Sequence, residues 1–224
     1  MKIQSLLLIV MFAGLSAACQ PSTPDFSGRW IASRGILTLT QIGNSVTGSM
    51  EGYGGTRNLT LSGTVSGAIL TFDGAPPLGA SAIILSEDGR TFRSADATAA
   101  FCGIREGTTL PDGCGFSGTW KIKTDLAPAG STAKLTQRGS RVTGSVYGPN
   151  GKVLVPLDST VSWGKGTWAD GTNVWGAFTL FITGDEKAFL ISILNYPDKE
   201  GTQWCGLREG ETTAYVLSFD CVIP

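Results

Sequence analysis

Apolar residues recur at every second position along most of the chain. Leu37, Leu39 and Gln41 share one face of a segment whose other face carries Thr38 and Thr40. Beyond the turn signal Gly43-Asn44, Val46, Gly48 and Met50 alternate with Thr47, Ser49 and Glu51, and Leu59, Leu61, Gly63 and Val65 continue the pattern. Ala133, Leu135, Val142, Gly144, Val146, Phe178, Leu180, Ile182, Ala188 and Leu190 repeat it further on. A period of two predicts strands, and turn signals about every ten residues predict an antiparallel meander. No segment after residue 18 has a helical period.

The pattern is written twice. Phe26-Ser27-Gly28-Arg29-Trp30 returns as Phe116-Ser117-Gly118-Thr119-Trp120. Leu39-Thr40-Gln41-Ile42-Gly43 returns as Leu135-Thr136-Gln137-Arg138-Gly139, and Cys102-Gly103-Ile104-Arg105 as Cys205-Gly206-Leu207-Arg208. The spacing between copies grows from 90 to 103 residues, so the second unit has gained small insertions. Residues 26–115 and 116–224 are the two units, each with room for seven or eight strands. A meander with one apolar face buries it by curling shut, which also removes exposed edges. The expected fold is all-β, with two small up-and-down antiparallel barrels in tandem. One sandwich built by both copies is the competing arrangement.

The N-terminus changes the picture. An apolar run, Leu6 to Ala13, follows Lys2 and leads through Ser16-Ala17-Ala18 to Cys19. That reads as an export signal over residues 1–18. Leu15-Ser16-Ala17-Ala18-Cys19 resembles the lipobox of bacterial lipoproteins, although Ser16 stands where that motif usually has Leu. The resemblance implies lipid attachment at Cys19 and a tether over 19–25, placing the protein in the bacterial envelope, with outer-membrane sorting suggested by Gln20. Simple secretion or a periplasmic location is the alternative. Four cysteines remain, and four cysteines allow three pairings. Repeat symmetry favours Cys102–Cys114 and Cys205–Cys221, one bridge per copy, as an oxidising compartment permits.

The net charge of −1 and the lack of any basic block argue against nucleic-acid binding. The chain has no histidine, which removes His-based triads and histidine metal sites. No metal or cofactor is expected. Glu87-Asp88 and Asp185-Glu186 fall in turns, where carboxylates are ordinarily solvated. The expected role is therefore binding without catalysis.

Gly28-x-Trp30 with Arg105, repeated as Gly118-x-Trp120 with Arg208, resembles the signature of the calycin superfamily of lipocalins and avidins. The resemblance implies that each arginine lies over its tryptophan at the closed end of a barrel. The expected ligand is a small apolar molecule or a glycan, the latter through stacking on the aromatics of copy two. The resemblance also admits an envelope interaction module or a protease inhibitor of calycin type. Gln41 and Gln137, on the apolar face beside a turn, are candidate ligand contacts. So are Trp163, Trp168 and Trp175, which copy one lacks and which assign the specific contact to copy two. The stretch Asp73 to Leu78 is a candidate rim of the first barrel.

Overall fold

The computed structural model describes residues 24–55, 58–73, 80–96, 99–105, 107–124, 127–163, 167–173, 176–193, 203–211, 213–216 and 219–222. Among them are eighteen strands and no helix. The first unit contains β1 (Gly28–Ala32), β2 (Gly35–Ile42), β3 (Ser45–Gly52), β4 (Asn58–Ser66), β5 (Ile69–Phe72), β6 (Ala82–Leu85), β7 (Thr91–Ser94) and β8 (Cys102–Ile104). The second contains β9 (Gly118–Lys123), β10 (Thr132–Arg138), β11 (Arg141–Tyr147), β12 (Val153–Trp163), β13 (Thr167–Asn173), β14 (Gly176–Ile182), β15 (Ala188–Ile193) and β16 (Gln203–Arg208). A hairpin of β17 (Thr213–Val216) and β18 (Phe219–Val222) follows.

Each unit is a closed antiparallel barrel in which neighbours in sequence are neighbours in space. The first closes where β1 meets β8, Ile31 opposite Ile104. The second closes where β9 meets β16, Trp120 opposite Arg208. The single sandwich is thereby excluded, because no strand of one barrel is a sheet neighbour of a strand of the other. Alternation decides what lies inside. In β4 the buried residues are Leu61, Gly63 and Val65, with exposed Thr60, Ser62 and Thr64 between them.

The two bridges fall where repeat symmetry puts them, Cys102–Cys114 and Cys205–Cys221. In both copies the cysteine on the last barrel strand pins the segment that follows onto the barrel wall. In the first, Leu110 and Cys114 pack on Ile31 and Ile104. In the second, Cys221 packs with Ala188, Leu190, Cys205 and Leu207.

The barrels stack head to tail. Turns β1–β2 and β7–β8 of the first barrel meet the β14–β15 turn and the end of β10 of the second, and the β3–β4 turn meets the end of β12 at Ser162. Arg34 donates to Gly184 O at 2.9 Å and Ala100 N–H to the same oxygen at 3.0 Å. Tyr53 joins the core cluster of the second barrel while its hydroxyl donates to Ala32 O at 2.9 Å. Burial pushes that phenol's pKa up. The linker after β8 bonds to the second barrel, Leu110 N–H donating to Gln137 O and Gly139 N–H to Thr108 O.

Candidate functional site

The best-defined side-chain constellation is the same in both repeats. Arg105 lies over Trp30 at 4.5 Å, and Arg208 over Trp120 at 4.1 Å. Each guanidinium also collects three carbonyls. Arg105 donates to Gly89 O at 3.1 Å, Ser27 O at 2.7 Å and Asp25 O. Arg208 donates to Glu186 O at 2.9 Å, Ser117 O at 2.8 Å and Gly115 O at 2.8 Å. A planar fork on an aromatic face, with its edge N–H groups turned to carbonyls, is a use that arginine fits and lysine does not. Burial pulls the Arg208 pKa down, opposed by Glu186, Asp112 and Asp185.

Below each indole a phenyl ring stands edge-on, Phe92 under Trp30 at 5.3 Å and Phe189 under Trp120 at 5.0 Å. Each phenyl lies across a glycine of the last strand, Gly103 or Gly206, where a Cβ would overlap the ring. The indole N–H donates to Phe26 O in one copy and Phe116 O in the other. The repeated Cys-Gly-x-Arg sequence is therefore one device: cysteine outward to the bridge, glycine beneath the phenyl, arginine over the indole.

Gln41 and Gln137 occupy matching places. Gln41 accepts from Phe26 N–H at 2.8 Å and donates to Pro24 O and Gly43 O, both at 3.0 Å. Gln137 accepts from Phe116 N–H at 3.0 Å and donates to Gly139 O at 3.0 Å and Ser33 O at 2.9 Å. In both copies the amide ties the opening segment of the barrel to a hairpin turn. The difference lies in the third partner, which is the first barrel's own leading segment for Gln41 and the other barrel for Gln137. Replacement of Gln137 by leucine is expected to cost about 2–4 kcal/mol, because it strands Phe116 N–H and Ser33 O in a buried place. The same change at half-exposed Gln41 is expected to cost about 1 kcal/mol. Denaturant titration of the two variants measures the contrast.

Two of the three tryptophans of the second repeat lie in described strands. Trp163 ends β12, and Trp168 lies in β13 opposite Ser162 and Phe181, so both backbones belong to strands beside the first barrel. Trp175 lies outside the described residues, as do Cys19, residues 74–79 of the candidate rim and the leader.

The interior decides what the barrels can hold. Trp30, Leu37, Met50, Leu70 and Ile83 of the first barrel have zero exposure, as do Trp120, Ala133, Val142, Val146, Val161, Phe189, Ile191 and Trp204 of the second. Zero exposure also excludes a water-sized void against these side chains. An eight-stranded barrel is just wide enough for its own side chains to fill. The first barrel's mouth is in addition covered by the second. Several open concavities are present, two of about 520 and 610 Å³ beside Arg90 on the first barrel and another of about 590 Å³ at the far end of the second barrel, between β9 and the loop to β10. Ile122, Ala127, Pro128 and Ala129 line it beside Lys121 and Lys123.

One carboxylate overturns the solvated-turn expectation. Glu186 is 2% exposed. Its turn matches that of copy one: Thr183 Oγ1 donates to Asp185 as Ser86 Oγ does to Asp88. The residue matching Glu186 is therefore Gly89, not Asp88. Gly89 has φ 67° and Glu186 keeps φ 55°, in the left-handed region that favours glycine. Glu186 Oε2 accepts from Gly115 N–H at 2.5 Å. Burial pushes its pKa up, against the opposing pull of Arg34, Gly115 N–H, Ser33 and Arg208. A carboxyl raised on folding contributes its stability below the ordinary value of 4.5 and loses it as pH rises through the raised value. Glu186→Gln carries no such titration. Its Tm minus that of the wild type is expected to grow from pH 4 to neutrality, and differential scanning calorimetry across that range reads it.

No family model matches this sequence, and no curated protein or solved structure matches it.

Proposed function

We propose that this is an exported, lipid-anchored, non-catalytic interaction module of the cell envelope, built from two calycin-like barrels. It engages a protein or glycan partner through the outer surface of the second barrel's far end. The observation that carries this reading is the interior: the described core positions are packed by the chain's own indoles, phenyls and aliphatics, so binding belongs to the outside. Rigid β scaffolds present contact surfaces on their connecting loops. The export signal and lipobox supply the location, and Cys19 the membrane attachment. Glu186, the one carboxylate buried among the described residues, is committed to a backbone N–H, which favours binding over chemistry.

The concavity beside β9 favours a second reading, an amphiphilic small molecule with its apolar part on Ile122 and Pro128 and an acidic group near Lys121 or Lys123. One experiment separates the two. A photo-crosslinking side chain is placed at Lys123, with Ile42 on the opposite end of the molecule as control, and irradiated in the native host. The interaction reading expects an adduct of macromolecular mass from position 123 and none from 42. Native mass spectrometry showing a stoichiometric small molecule, with no such adduct, contradicts it.

A further inference from the structure

The junction between the barrels is made by two groups that the repeat does not duplicate and by one duplicated group turned to a new partner. Arg34 lies in a two-residue connection between β1 and β2, whereas β9 and β10 are joined by eight residues, 124–131. Glu186 stands where copy one has Gly89, in a backbone conformation unfavourable to any side chain. Gln137 sends to Ser33 of the other barrel the bond that Gln41 keeps at home on Pro24. A strained, buried, acidic residue in a turn persists only where its surroundings hold it.

The surroundings are specific. The Glu186 carboxylate accepts from Gly115 N–H, and Cys102 Sγ of the first barrel lies 3.6 Å from Oε2. Arg34 crosses the junction to Gly184 O, two residues before Glu186, and holds Ala100 O at 3.0 Å on its own side. Gly115 O is in turn held by Arg208. The linker between the barrels is thus tied to the first by the Cys102–Cys114 bridge and to the second through Gly115.

We propose that the β14–β15 turn of the second repeat is a built-in stopper seated in the mouth of the first, fastened by the Glu186 carboxyl, so that the two barrels move and unfold as one body. The first repeat then serves as a mount that holds the second at a fixed orientation. This holds whatever partner the second barrel meets.

The test compares Glu186→Gly, which restores the residue of copy one, with Glu186→Gln, whose amide oxygen still accepts from Gly115 N–H. Calorimetry of the exported protein is expected to give one transition for wild type and Glu186→Gln. For Glu186→Gly it should show two transitions, or one lowered by roughly 6–12 °C. Spin labels at exposed Thr47 and Lys134 should give a narrow distance distribution in the first two proteins and a broad one in Glu186→Gly. Relief of an unfavourable φ works the other way. A Glu186→Gly protein that melts at or above the wild-type temperature, with an unchanged distance distribution, overturns the proposal, as does a wild type with two transitions. Should Glu186→Gly not fold, Arg34→Met provides the same comparison: broadening supports the stopper, and an unchanged narrow distribution contradicts it.

Discussion

Replacing Arg208 by alanine is expected to destabilise the protein by about 3–4 kcal/mol, a fall in Tm of roughly 6–16 °C for a chain of this size. Three carbonyls, of Glu186, Ser117 and Gly115, lose a charged donor together, and the Trp120 face loses its cation. The site lies beside the junction, where water does not readily replace the guanidinium. Arg105 offers the internal control. It makes the same contacts at the free end of the first barrel, where its side chain is 25% exposed. Water can reach those carbonyls, and Arg105→Ala is expected to cost about 1–2 kcal/mol. Its contact with Asp25 adds little, because that carboxylate is 63% exposed. Arg208→Lys is expected to recover less than half of the loss, since an ammonium cannot lie flat on the indole and reach three oxygens. Urea titration of the three variants checks the order. Equal losses at 105 and 208 would remove burial as the explanation.

Replacing Cys205 and Cys221 together by serine is expected to cost about 3 kcal/mol in the chain-entropy description, from a bridge spanning a sequence separation of 16. The larger consequence is local. The bridge holds the β17–β18 hairpin against β15 and β16, whose outward residues Ala188, Leu190 and Leu207 are buried beneath it. Released, the hairpin exposes an apolar patch on the outer wall of an otherwise intact barrel. Limited proteolysis should then remove the last residues from the double variant while the 26–208 portion persists, and the trimmed protein should bind the dye ANS. The Cys102 and Cys114 pair, with a separation of 12, should lose a similar amount of stability without freeing the C-terminus. Loss of the C-terminal hairpin in both variants, or in neither, would contradict the assignment of one bridge to each post-barrel segment.

Much of this architecture was legible in the residues. Alternation at Leu37, Leu39 and Gln41 placed all three on the inward side of β2, and cysteine parity with the repeat gave both bridges. The resemblance of Gly-x-Trp with Arg to the calycin signature implied where two indoles and two guanidiniums would meet, a contact that lies within one repeat and whose residues are duplicated. The junction was not legible, for a physical reason. Arg34 and Glu186 acquire their environment only when one barrel docks on the other, and neither side chain is repeated in the other copy. A signal did exist: a glutamate in copy two at the turn position that is glycine in copy one. Finding it required the hydroxyl–aspartate pairs of Ser86 and Thr183 to set the register of the two turns. Period-two patterning is equally blind to which end of a barrel a residue occupies. The seven residues of β13 alone separate the two ends of that strand by about 20 Å.

The central claim is that each repeat is sealed on itself and packed with its own side chains. Hydrogen exchange at the two closing seams tests it most directly. Ser33 N–H, which donates to Cys102 O, and the amides of β9 and β16 that pair from Cys205 to Arg208 would be protected in closed barrels. The account predicts that these amides exchange only through global unfolding, as slowly as those of β3 and β11 at the centre of the sheets. Fast exchange along either seam, with β3 and β11 still protected, would mean an open sheet and would contradict it.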